Sequence, residues 1–238
     1  MSWTRIRAVL RKELRDYRHN GNIIYSTAIL PAIFLIQPLI QAFTLPTGSS
    51  PALHREHALL YMLAIPVLVP AALAAYSVVG ERIQGTLEPV LSTPIRKEEL
   101  LLGKALAAFL PSVGVSYVVF GLYVVLVELF AHPGVAAALI RGPDLLAQLV
   151  FTPFLALWSI TVGIAISARA RDPRTAAQLA ILASLPTVAV TTLVAFKVIP
   201  ATPRLAVALG IALLVLCRLG GRFASAMFDR ERLITGTR

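Results

Sequence analysis

The chain has 238 residues, of which 57% are hydrophobic and only 14% charged, and its mean hydropathy is +0.77. A soluble domain needs about a quarter of its residues charged to cover its surface, so an ordinary water-soluble fold is excluded and lipid must be part of the solvent. The net charge of +10 would suit a nucleic-acid binder, but the basic residues sit between apolar runs, and no nucleic-acid partner is expected.

Residues 1–20 are charged and predict an amphipathic helix. Trp3, Ile6, Leu10, Leu14 and Tyr17 recur at steps of three or four, and Arg5, Arg11, Lys12, Arg15 and Arg18 fill the other faces. A basic helix with tryptophan on its apolar side lies in the headgroup plane. Such a segment also serves as a topology anchor, and the two roles are compatible. No apolar run precedes the first span, so a cleavable signal peptide is not expected and the first span acts as an uncleaved insertion signal.

Crossing ~30 Å of hydrocarbon at 1.5 Å per residue takes ~20 apolar residues. Residues 23–43, 58–80, 105–127, 145–168 and 176–196 meet that length without a charge. A sixth window, 205–221, contains Arg218 and crosses only if that side chain snorkels to the headgroups. Five of the six windows carry proline: Pro31 and Pro38, Pro66 and Pro70, Pro111, Pro153 and Pro186. These residues permit kinks that help a pathway alternate, and they also match the general abundance of proline in membrane helices.

Six spans with the N-terminus inside put 18 of the 22 Lys and Arg residues on the cytoplasmic side. The positive-inside rule therefore favours six spans, with both termini and the tail 222–238 in the cytoplasm. The outer loops are short, so the expected architecture is one all-α integral membrane domain in the cytoplasmic (inner) membrane. No internal repeat of the kind seen in inverted-repeat carriers is evident.

The longest polar stretch inside the chain is 81–104, ERIQGTLEPVLSTPIRKEELLLGK. Gly85 permits a break after the second span, Thr86 can cap a new helix, and Pro89 suits its first turn. Thr93-Pro94 ends it, and a helix restarts toward the third span. The expectation is a short helix over about 86–92, with Leu87, Val90 and Leu91 as an apolar contact face. A plain connecting loop is the alternative.

This stretch resembles the signature of the ABC type-2 permeases, the membrane subunits of bacterial and archaeal ABC exporters. The resemblance is carried by Glu81, Gly85-Thr86-Leu87-Glu88, Val90-Leu91, Thr93-Pro94-Ile95, Glu99 and Gly103-Lys104, and by the plan of a basic leading helix and six spans. It implies that the loop 81–104 is the coupling element seated in a groove of a separate ATPase subunit, with Glu81, Gly85, Thr86, Leu87, Glu88, Val90, Leu91, Thr93 and Pro94 as the ATPase-coupling residues. It implies that residues 1–20 are the connecting helix beside it. It further implies a second permease subunit, identical or related, and ATP and Mg bound by the partner ATPase rather than by this chain. Some relatives carry a long re-entrant segment between spans five and six, whereas 198–204 is short here.

No G-x-x-x-x-G-K-[ST] run occurs, so the chain itself is not expected to be an ATPase or to hold a cofactor. His19, His54, His57 and His132 are all expected in loops, and His54-Arg55-Glu56-His57 fits no zinc spacing. The single cysteine, Cys217, allows no intrachain disulfide. Glu128 is the one carboxylate bordering hydrocarbon, and such groups are functional suspects. With Tyr76 and Tyr117 it makes up the candidate pathway residues. A membrane-embedded enzyme or scaffold without ATP-coupled transport is the alternative. An enzyme needs positioned acid–base groups, which the spans do not offer at mid-depth.

Overall fold

The computed structural model describes residues 2–44, 58–85, 95–196, 198–199 and 202–227. Nine α-helices and one 3₁₀ turn make up the described residues, without a strand among them: α1 (Trp3–His19), α2 (Gly21–Thr44), α3 (Ala58–Tyr61), α4 (Ile65–Ile83), α5 (Lys97–Phe130), α6 (Pro133–Leu139), α7 (Gly142–Arg169), α8 (Pro173–Ala195) and α9 (Pro203–Met227). Six helical stretches are long and apolar enough to span a membrane: Ile23–Thr44, Leu59–Ile83, Glu98–Phe130, Gly142–Arg169, Pro173–Ala195 and Pro203–Arg222. The sixth, marginal by sequence, continues helically through Arg218, whose side chain is exposed rather than packed inside.

The second span is the axis of the bundle. Of its membrane window 89% is buried, against 18% for the first span, 17% for the third and fifth and 6% for the sixth. Bilayer or protein must therefore cover most of the outer helices. This span starts in pieces, α3, the turn Met62–Ala64, then α4. Pro66 explains the break, because its ring clashes with the carbonyl four residues back, at Met62. The prolines of α2, α5, α7 and α8 lie within unbroken helices.

The fourth span, α7, packs most closely on α4. A Cβ at Gly163 would lie 2.6 Å from the Ala74 Cβ and 3.1 Å from the Ala71 carbonyl. Small residues allow this approach, which apolar helices in lipid need in order to gain packing. At the end remote from α1, Phe34, Tyr61 and Phe196 stack in series, with ring centroids 5.3 and 6.4 Å apart. They tie spans one, two and five together.

Two local features depart from the expectations, and a third carries one of them further. The stretch between spans three and four contains α6, which buries Val135, Ala138 and Leu139 and whose first turn is capped by His132 Nδ1 accepting from Gly134 N–H. His19 ends α1 rather than lying in a loop, its ring meeting the Arg15 carbonyl at 2.8 Å. The third span's helix has 34 residues, about 51 Å at 1.5 Å per residue. That exceeds a ~30 Å hydrocarbon core and leaves its first turns to pack on α1.

Asp172 starts α8, its Oδ2 accepting from the Thr175 N–H at 2.8 Å and the Thr175 hydroxyl at 2.7 Å. The Thr175 side-chain bond, then its backbone bond, hold the Asp172 carboxyl below its ordinary value. A depressed carboxylate contributes stability above its unfolded pKa of about 4 and loses it as pH falls through the folded value. Asp172→Ala is expected to lower the melting temperature slightly at pH 7, and the gap from wild type should narrow in acid. A thermal melt series in detergent at several pH values checks both.

Candidate functional site

The charged groups that matter most lie where α1 meets the ends of spans two and three. Lys104, on α5, is 0% exposed. Its ammonium donates to Glu13 Oε1 at 2.8 Å and to the Ser77 carbonyl at 2.6 Å, and lies 2.8 Å from Glu81 Oε2. The first two are hydrogen bonds and the third is an ion pair. Lys12 pairs with the other Glu81 oxygen and lies 3.3 Å from Glu13 and 3.4 Å from Asp16. Two cations and two buried carboxylates therefore balance at one junction of α1, α4 and α5.

The environment fixes the charge states outside the membrane. Burial opposes the charge on Lys12, but the Glu81 hydrogen bond and the Glu13, Glu81 and Asp16 carboxylates outweigh it and raise its pKa. Burial, reinforced by the same three carboxylates, pushes the Tyr17 phenol up, so it stays neutral. A cavity of about 660 Å³ opens beside this cluster, lined among others by Asp16, Tyr17, Asn20, Tyr76 and Gln84.

The leading helix reaches the site with a face that its apolar pattern only partly foretells. Ile6, Glu13 and Tyr17 are buried, whereas Trp3 is 64% exposed. The stripe through Ile6, Val9, Glu13 and Tyr17 is turned by about 60° from the predicted one, at 100° per residue. The helix thus has adjoining faces, one on the protein and one, with Trp3, left exposed. Gly103 permits the contact: a Cβ there would lie 2.8 Å from the Val9 side chain and 3.3 Å from the Ile6 carbonyl.

Two more contacts brace the same junction. Glu99 accepts from the Ser2 N–H at 2.6 Å and the Arg96 N–H at 3.2 Å, and pairs with Arg5 at 3.5 Å. One carboxylate thus begins α5 and holds the start of α1. Arg82, at the end of α4, donates to the carbonyls of Ala168 and Ala170 at 2.8 and 3.0 Å, a cation at the negative end of α7.

Of the residues singled out by sequence, Glu81 is central to this cluster. Gly85 follows the end of α4 with φ +68, a left-handed conformation that favours glycine, so the expected break is there. Thr86, Leu87, Glu88, Val90, Leu91, Thr93 and Pro94, with the expected coupling helix, lie outside the described residues. The three pathway candidates are not brought together. Tyr76 lines the cavity beside Glu81, the Tyr117 hydroxyl donates to the Leu149 carbonyl at 2.8 Å to join spans three and four, and Glu128 is exposed near the far end of α5.

Sequence reasoning missed Glu13, Lys12 and Lys104 as a unit. Its signal was available in part: an acid at position 13 continues the i, i+3, i+7 spacing of Ile6, Val9 and Tyr17, and a lysine opens a long apolar run. The pairing itself joins residues 91 apart and has no local pattern.

A six-span, all-helical bundle with a charged helix clamped across one end defines a polytopic membrane protein. The family described as ABC-2 family transporter protein matches residues 7–217, from within α1 to within α9, and the chain belongs to it. It is therefore a membrane permease subunit of an ABC transporter, a class that works with ABC ATPase subunits and does not itself hydrolyse ATP. No curated protein matches the chain.

Proposed function

We propose that this permease, paired with an identical or related subunit, forms the pathway of an ATP-driven exporter in the inner membrane. Both termini lie in the cytoplasm, and the loop 81–104, with a short helix at about 86–92, is the coupling element that seats in the ATPase, which binds ATP and Mg. The supporting observation is the clamp. Glu81 and Arg82 fix the chain just before that short helix, and Arg96, Glu99 and Lys104 fix it just after. A push on a segment held at both ends passes into α1, α4 and α5 together rather than being lost in slack chain.

The charge map supports the orientation. Among the described residues, Arg5, Arg7, Arg11, Lys12, Arg15, Arg18, Arg82, Arg96 and Lys104 gather at the α1 end, as do Arg169, Arg171, Arg174, Arg218 and Arg222. Arg141 and Arg204 lie at the other. By the positive-inside rule this distribution favours a cytoplasmic α1 end.

Leu87→Asp tests the docking role by putting a charge on the expected contact face. The chain should still insert and fold, while ATPase co-purification and ATP-dependent transport in vesicles are both lost. Survival of both would sink the coupling assignment.

A further inference from the structure

At the end of the bundle remote from α1, spans two, four, five and six line a second, open-sided cavity of about 540 Å³. Span four contributes Asp144, Phe151 and Trp158, span five Ala183, and span six Ala212 and Leu216. Its polar groups are turned inward on the protein: Trp158 Nε1 donates to the Thr187 hydroxyl at 3.2 Å, and the Thr191 hydroxyl donates to the Val188 carbonyl at 2.9 Å. What faces the void is almost wholly hydrocarbon.

The shape of the cavity is informative. From Asp144 to Trp158 is fourteen residues of one helix, about 21 Å. One leaflet of hydrocarbon is about 15 Å deep, half of a ~30 Å core. The cavity is therefore long enough for one extended acyl chain and has its polar rim, Asp144 and Thr202, at the bundle's end. One turn beyond Leu216 the helices close up, with a Cβ at Gly220 lying 2.8 Å from the Thr161 side chain. A pocket of a few hundred Å³ with apolar walls is the usual form of a small-molecule site.

We infer that this cavity holds one acyl chain of a phospholipid, inserted from the leaflet at the Asp144 end with the headgroup outside. The site is internal to one subunit and independent of the ATPase. Failure of its test leaves the transport assignment untouched.

Trp158 reports on the site directly. The chain has two tryptophans, so Trp3→Phe leaves Trp158 as the single emitter. In detergent with limiting phosphatidylcholine brominated along the chain, most Trp158 emission should be lost in a saturable way. Ala183→Phe and Ala212→Phe, each made in the Trp3→Phe protein, fill the cavity from different helices and should abolish the quenching while keeping a cooperative melt. Equal quenching in a folded filled variant would mean annular lipid contact only, and no quenching in the parent would mean an empty cavity. Either overturns the proposal. Native mass spectrometry of the delipidated parent decides if neither variant folds: one retained phospholipid mass per chain supports the site, and its absence overturns it.

Discussion

Lys104→Met will loosen the leading helix from the bundle and lower the melting temperature on the order of 10 °C. The stem of lysine has nearly the volume of methionine, so packing is kept and the charge is what is lost. Glu13 and Glu81 then share Lys12 alone, at a site where both carboxylates are buried. Breaking a buried ion pair from one side costs about 3–5 kcal/mol, because the remaining charge is left uncompensated. For a chain of this length each kcal/mol moves the midpoint by about 2–4 °C. Trypsin should then cut within α1, after Arg7, Arg11 or Arg15, before the rest of the bundle is attacked. Glu13→Gln in the Lys104→Met background removes one orphaned charge and should recover part of the loss. A melt and a cleavage pattern unchanged by Lys104→Met would show that the cluster does not hold α1.

This cluster also marks where sequence reading stopped. The spans were legible because a bilayer imposes a length and a composition that any window count detects, and Arg218 could be kept inside a span because snorkelling is general. Gly85 was legible because only a left-handed turn makes use of it. The face of α1 was read from its hydrophobes alone, and that rule fails where a buried stripe is completed by a carboxylate with a distant partner. The burial of Glu13 is explained only by Lys104, 91 residues away in the chain. The charge-free window of span three was cut short at its start for a related reason. A window that rejects charge ends at Lys104, yet the helix continues through Glu99 because each of these charges has a partner on α1.

Gly163→Leu is expected to separate spans two and four and leave little folded protein. These helices meet where a Cβ on Gly163 would stand 2.6 Å from the Ala74 side chain and 3.1 Å from a backbone carbonyl, and neither neighbour can swing aside. Overpacking of a well-filled interior costs about 1–3 kcal/mol per site and more when backbone must shift. Leucine adds three further carbons to a contact that does not admit one. Helix propensity works the other way, since glycine is about 1 kcal/mol worse than alanine within a helix. Gly163→Ala should therefore be destabilising by less than the overlap alone implies. Gly114 provides the control: it lies on α5, exposed, with nothing within 4 Å of an added Cβ. Gly114→Leu changes the same atoms where there is room, and it should melt at or above wild type. The expected order in detergent is Gly163→Leu lowest, then Gly163→Ala, then wild type and Gly114→Leu together. Equal melting of the two leucine variants would mean that the approach of α7 to α4 is not what holds the second span at the centre of the bundle.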